Sequence, residues 1–232
     1  DREAQTLEKL CERSVVHGGD TRYDRICAVV DSPLPSEPWF EATSKHDDVV
    51  LVAGSMWLSD ARSLLIDGDL LERFPRLRLI IVPHEIDEHT IVQWEQRFPD
   101  SQRLSALRSS SSSSRHVLVD TMGELLHIYR YADVAYVGGG FGTGVHSVAE
   151  PAAYGIPVAC GPRTQKSVDV ARLLQHNGCE VLHEPYALVA WLKRFMHSEA
   201  RQFTGHANAL SIRAASGWHE KTASMIMKHL HT

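Results

Sequence analysis

The 232-residue chain contains no apolar run approaching the ~20 residues that a membrane-spanning helix needs, and its start does not read as a signal peptide. Basic clusters are missing too. Lys and Arg number 24 against 29 Asp and Glu, a net charge of −5, which argues against nucleic acid as the main partner. Cysteine is scarce: Cys11, Cys27, Cys160 and Cys179 lie far apart with no C-x-x-C, and read as reduced thiols of a cytosolic protein. The 14 His are scattered, and neither H-x-x-x-H nor a carboxylate pair falls at ligand spacing on a helix, so a metal site has no support. No Lys follows the glycine-rich segment, which excludes an ordinary P-loop. The chain opens on Asp1 rather than Met and reads as a fragment of a longer protein.

What is present is an alternation of strands and helices. Short, continuous apolar runs occur at Val15-Val16, Val49–Ala53, Leu77–Val82, Val117–Val119, Val134–Val137, Pro157–Cys160 and Glu180–Leu182. Most are rich in Val and Ile and bounded by Asp, Gly or Pro, as in a parallel sheet covered on both faces. Between them lie helical patterns. Ala4, Leu7, Leu10 and Cys11 share one face, as do Leu188, Trp191, Leu192, Phe195 and Met196, and Ala223, Ile226, Met227 and Leu230. Asp24–Asp31 suits a helix or a strand, and we read it as helix. With 43% hydrophobic residues, the pattern predicts one doubly wound α/β domain over 1–232, its ligand lying at the strands' C-terminal ends. Arg108–Arg115, with six consecutive serines, cannot bury apolar surface and reads as an exposed, mobile loop, with a lid over the ligand as the functional alternative.

Chemistry concentrates after the predicted strands. Five of the 15 glycines fall between Gly138 and Gly144, after an apolar strand and before a helical pattern beginning near His146. Gly139, Gly140 and their neighbours are thereby expected to offer backbone N–H groups to a phosphate, aided by the helix dipole. Thr121 and Glu124 have capping-box spacing, so Glu124 either caps a helix or belongs to a turn, with Met122 and Gly123, that a flat ring can approach. Pro83-His84 ends the Leu77–Val82 run and is either ordinary surface or cleft wall. Gly18–Arg22 and Gly54-Ser55 are further polar loops that are either plain turns or parts of the same cleft.

Taken in order, Gly-Asp-Thr-Arg (19–22), Ala-Gly-Ser-Met-Trp (53–57), Val-Pro-His-Glu (82–85), Asp-Thr-Met-Gly-Glu-Leu (120–125) and the glycine loop running to Glu150 and Gly161-Pro162 resemble 3-deoxy-D-manno-octulosonic acid (Kdo) transferases. The resemblance is to the C-terminal, donor-binding half of that family. It implies a Rossmann-like domain forming one half of a two-domain GT-B glycosyltransferase. It also implies transfer of Kdo from CMP-Kdo to a lipid A precursor in lipopolysaccharide biosynthesis, at the cytoplasmic face of the bacterial inner membrane and without a metal. Carried over residue by residue, Pro83 and His84, the turn Met122, Gly123, Glu124, and the segment Ser147, Val148, Ala149, Glu150 hold the CMP moiety. Many members have Arg in place of His84 and Asn in place of Ser147, and the glycine loop here is one residue shorter. Acceptor site, catalytic base and membrane contact belong in this family to an N-terminal domain that precedes the present chain. No catalytic residue is therefore assigned, and the chain alone is expected to bind donor without turnover. Two other readings stay open: half of another GT-B transferase or epimerase using a UDP-sugar, and a non-catalytic nucleotide- or protein-binding module.

Overall fold

The computed structural model describes residues 2–11, 15, 18–33, 37–41, 47–64, 70–110 and 114–230. Seven strands form one sheet: β1 (Val49–Met56), β2 (Leu77–Pro83), β3 (Ser101–Arg103), β4 (His116–Leu118), β5 (Val134–Val137), β6 (Val158–Cys160) and β7 (Cys179–Val181). Every pairing is parallel and the order is β3-β4-β2-β1-β5-β6-β7. The winding reverses between β1 and β5, so the crevice beyond their C-terminal ends is the topological switch point, where open α/β sheets bind ligands.

Side-chain alternation explains why the strand runs are continuously apolar. Val49, Leu51, Ala53, Leu77, Leu79, Ile81, Val134 and Tyr136 point to one face, where Ile91, Trp94, Trp191 and Leu192 cover them. Val50, Val52, Ile80, Val82 and Ala135 point to the other, under Leu104, Leu107, Ile128 and Tyr129. On that second side, Val137, Val158 and Cys160 lie under Tyr23, Ile26, Ala149, Ala152 and Ile212. Both faces are dry, so a period-2 pattern has no polar half.

The helices are α1 (Arg2–Cys11), α2 (Arg22–Val30), α3 (Pro38–Glu41), α4 (Leu70–Arg73), α5 (Glu88–Arg97), α6 (Leu104–Ser109), α7 (Leu125–Ile128), α8 (Ala149–Ala153), α9 (Val168–Leu174), α10 (Ala187–Phe195), α11 (Ser198–Ala215) and α12 (Trp218–Leu230). The ambiguous 24–31 segment is thus helical. Three expectations need correction. Val15 has no regular structure and Val16 lies outside the described residues, so Gly18–Arg22 leads into α2 instead of leaving a strand. Strand β3 reads Ser-Gln-Arg; an edge strand with one neighbour needs no apolar run, which is why the hydrophobic pattern does not reveal it. The serine run is not wholly loop: Ser109 ends α6, Ser114 is buried with its hydroxyl donating to His116 O, and residues 111–113 lie outside the described residues. The apolar faces predicted on α1 and α12 form, yet Leu7, Leu10, Ile226 and Met227 stay exposed on them. Among the described residues no helix is long and apolar enough to cross a membrane.

Candidate functional site

At the switch point β1 bends. Ser55 adopts φ +52°, in the left-handed region, and the β1–β2 register slips between Ala53 and Met56. This lets His84 N–H, just past β2, donate to Met56 O at 2.9 Å and brings the β2 end level with the loop after β5. A cavity of about 420 Å³ opens there. Pro83 and His84, the Thr121–Leu126 turn, Ser147 and Glu150 line it, and α2 adds Arg22 and Arg25. Seven of the eleven residues assigned from sequence to the donor therefore share one cavity: Pro83, His84, Met122, Gly123, Glu124, Ser147 and Glu150. Val148, which caps α8, and Ala149, its first residue, do not line it; both are buried in the core.

The glycine loop departs from its expected role. Gly139 and Gly140 are buried, and the loop's donors turn inward. Gly139 N–H donates to Asp60 Oδ2 at 2.8 Å and Phe141 N–H approaches Asp60 Oδ1 at 3.4 Å. Gly142 and Gly144 N–H both donate to Gly139 O, and His146 N–H to Gly138 O. The anion that this loop cradles is the protein's own Asp60, fully buried at the start of the 3₁₀ turn Asp60–Ser63 and also bonded by Trp57 N–H at 3.1 Å. Glycine is needed at 139 because φ is +87° and an added Cβ would collide with Gly144 O. Gly140 lies backbone-to-backbone against Gly161. For Gly139 the expected phosphate cradle is therefore corrected, its N–H being spent on Asp60; Gly140 is buried and its carbonyl accepts Arg163 N–H. Nor does a long helix begin at His146, since α8 starts at Ala149 and has five residues. Pro151 fits its first turn, where a missing N–H breaks no helical bond.

Above the loop stand three rings. Trp57 Nε1–H donates to His146 Nε2 at 2.9 Å, and the His84 ring lies 4.5 Å from Trp57 and 4.3 Å from His146. Indole can only donate, so Nε2 of His146 is unprotonated and its proton sits on Nδ1. Burial lowers the His146 pKa and the adjacent His84 lowers it further, against an opposing pull from Asp60. Trp57, Asp60 and His146 shape the site, and the sequence reading gave them no such part. Trp57 and His146 stood inside quoted motifs, but no local spacing tied them together.

Glu124 does not close a capping box. It precedes α7 without a side-chain cap, and its carboxylate takes Arg108 Nη1 at 2.7 Å while the same guanidinium holds Glu37 through Nε, also at 2.7 Å. An ion pair with Arg outcompetes a cap on a single turn of helix. Beside it Gly123 has φ +82° with open space over its Cα, and Met122 is 77% exposed, so the turn presents bare backbone to the cavity. On the opposite wall burial raises the Glu150 pKa, while the neighbouring Ser147, Arg25 and Arg22 favour its charged form. Burial likewise raises Tyr129 beneath it, with the Glu150 charge adding to the effect.

A second cavity, of about 570 Å³, adjoins the first and shares Arg22 and Ser147 with it. Its walls come from Thr143–Ser147 and the Arg163–Asp169 segment. Among the described residues no three His, Cys, Asp or Glu side chains gather as a metal site.

No family model matches the chain. Over 133 residues, 55% of this chain and 36% of the relative, it is 31% identical to a 3-deoxy-D-manno-octulosonic acid transferase of Aquifex aeolicus. Over 109 residues it is also 31% identical to the protein of the same name from Haemophilus influenzae, covering 45% of this chain and 25% of that one. The chain is similar to the Kdo transferases. It spans about a third of the Aquifex protein's length and a quarter of the Haemophilus protein's. The crystal structure of the C-terminal CMP-Kdo binding domain of WaaA from Acinetobacter baumannii superposes with a TM-score of 0.57 at 18% identity, covering 84% of this chain and 98% of that one. The fold is the Rossmann-like α/β domain found as the C-terminal half of GT-B glycosyltransferases.

Proposed function

We propose that this chain is the donor-binding half of a Kdo transferase and that the switch-point cavity receives the CMP portion of CMP-Kdo. The observation that carries the reading is convergence. Pro83 with His84, the turn Thr121–Leu126, and Ser147 with Glu150 come from segments far apart in sequence, each lying in a motif that resembles the Kdo transferases, and they line one cavity of about 420 Å³. Its chemistry suits a nucleoside monophosphate. The Gly123 turn offers backbone to a base edge, Glu150 offers two acceptor oxygens to ribose hydroxyls, and Arg22 and Ser147 offer donors to the phosphate. The phosphate role assigned to the glycine loop passes to these side chains, without a divalent metal. His84 adds a ring to the cavity wall where many Kdo transferases carry Arg.

In the complete protein, an acceptor hydroxyl of a lipid A precursor attacks the anomeric carbon of Kdo. A base on the missing N-terminal domain takes its proton, and the C–O bond to CMP breaks with both electrons leaving on the phosphate oxygen. This half stabilises that leaving charge through fixed donors. The reaction belongs to lipopolysaccharide biosynthesis at the cytoplasmic face of the inner membrane, the membrane being met through the missing domain.

Calorimetric titration with CMP, UMP and deoxycytidine monophosphate, on the wild type and Glu150→Gln, tests the reading. CMP binds more tightly than UMP, because the two bases exchange donor and acceptor at one ring edge. Glu150→Gln weakens CMP by an amount on the order of 1–3 kcal/mol, and the deoxynucleotide penalty seen in the wild type shrinks in the variant. Equal affinity for CMP and UMP points instead to a UDP-sugar enzyme, and absence of nucleotide binding to a non-catalytic module.

A further inference from the structure

The second cavity has features that CMP alone does not use. It meets the first along Arg22 and Ser147, so a ligand whose phosphate lies at that junction projects whatever the phosphate carries into the second space. Three cationic side chains line it, Arg22, Arg163 and Lys166, against a single acid, Asp169. That acid is turned aside: it is buried, accepts the Tyr23 hydroxyl and lies 3.7 Å from the Arg22 guanidinium. The pocket is therefore net positive, and Thr143, Gln165 and Ser167 add polar groups suited to hydroxyls.

Arg163 is held in place. Its N–H donates to Gly140 O at 3.0 Å, its carbonyl accepts Val145 N–H at 3.0 Å, and its Nη1 donates to Gly142 O. The loop that Asp60 closes thus fixes a guanidinium at the rim of the second cavity with one of its five donors engaged. A planar fork anchored at one end is pre-organised for a second planar anion.

We propose that the second cavity takes the sugar acid of the donor and that Arg163 reads its carboxylate, with Lys166 adding charge at the rim. This rests on the reading of the first cavity as the CMP site. The occupant follows from chemistry: a polyhydroxylated group bearing a carboxylate, joined to a nucleotide phosphate, in a space of about 570 Å³. A neutral sugar would leave the Arg163 fork without an anionic partner, so the pocket discriminates by charge as well as by size.

The test compares two probes by calorimetry, CMP and CMP-N-acetylneuraminate, a CMP-linked keto-acid sugar, on the wild type, Arg163→Gln, Arg163→Lys and Lys166→Gln. The wild type binds the sugar-acid nucleotide about tenfold more tightly than CMP, the gain of one charge-assisted contact. Arg163→Gln removes most of that gain and leaves CMP affinity within about twofold, since the CMP contacts lie elsewhere. Arg163→Lys keeps charge without the fork and falls between. Lys166→Gln, on an exposed side chain, lowers only the sugar-acid affinity and is the control should Arg163→Gln loosen the loop, which thermal melting reports. If CMP binds but the sugar acid adds nothing, or if every variant weakens both probes equally, the carboxylate subsite is overturned while the CMP site stands. If CMP itself fails to bind, both fall.

Discussion

His146 is kept neutral by the arrangement around it. The Trp57 indole can only donate, so the bond to His146 Nε2 exists only while that nitrogen is unprotonated. A His whose folded pKa is depressed contributes stability that is whole above the unfolded value of about 6.5 and is lost as pH falls through the folded value. Acidification therefore breaks the Trp57–His146 bond and opens the stack to which His84 belongs. Followed by NMR, the Trp57 indole N–H resonance should move in step with the His146 ring protons, whose titration lies below the ordinary value of about 6.5. Trp57→Phe removes the donor and should raise the His146 pKa toward the ordinary value. An indole resonance that stays in place while the His146 ring protons titrate would mean that the bond does not depend on a neutral His146.

The glycine loop between β5 and α8 behaves as an element with its own internal anion. Asp60 comes from the turn after β1, and its carboxylate reaches across the switch point to Gly139 and Phe141, tying the two halves of the winding together. Asn at this position keeps the shape but swaps one acceptor oxygen for a donor facing N–H groups. Asp60→Asn should cost roughly 3 kcal/mol, the loss of charge-assisted bonds plus buried donors left unpaired, read as a lower denaturant midpoint. Gly139→Ala should also destabilise, through its positive φ and the Gly144 carbonyl. A shift in the Asp60→Asn midpoint worth less than about 0.5 kcal/mol would show that the loop holds its form without the carboxylate. Arg163 hangs from this loop, so the same variant should blur any selectivity for a sugar acid.

At the scale of the molecule, the proposed function makes this domain one wall of a two-domain cleft. A single wall leaves much of a nucleotide exposed, so this chain alone should bind CMP with a Kd of ~0.1–1 mM, about −4 to −5.5 kcal/mol. On the proposed division of labour it should transfer no Kdo, since the acceptor would be positioned by the other domain. Incubation with CMP-Kdo and a lipid A precursor checks this directly. Turnover by the isolated chain would place a catalytic carboxylate within it. Glu85, exposed beside His84, and Asp20, paired with Arg22 at 2.6 Å, are the first to replace in that event.

Much of this architecture is written in local sequence. Six strands are legible as short Val- and Ile-rich runs because both sheet faces are covered, and the order of motifs along the chain by itself resembles the Kdo transferases. The line-up of Pro83, His84, the 122–124 turn, Ser147 and Glu150 follows once those runs are parallel strands, whose C-terminal ends lie along one edge. What local pattern does not carry is the choice of distant partner. That the glycine loop binds Asp60, 79 residues away, and not a ligand is decided by the strand bend at Ser55 and the β1–β5 pairing. The commitment of Glu124 to Arg108 in place of a cap, and the Trp57–His84–His146 stack, have the same origin. Hydrophobic periodicity reports which side of an element is dry. Only packing decides which buried donor meets which acceptor, because every unpaired one costs enough to redirect the loop that carries it.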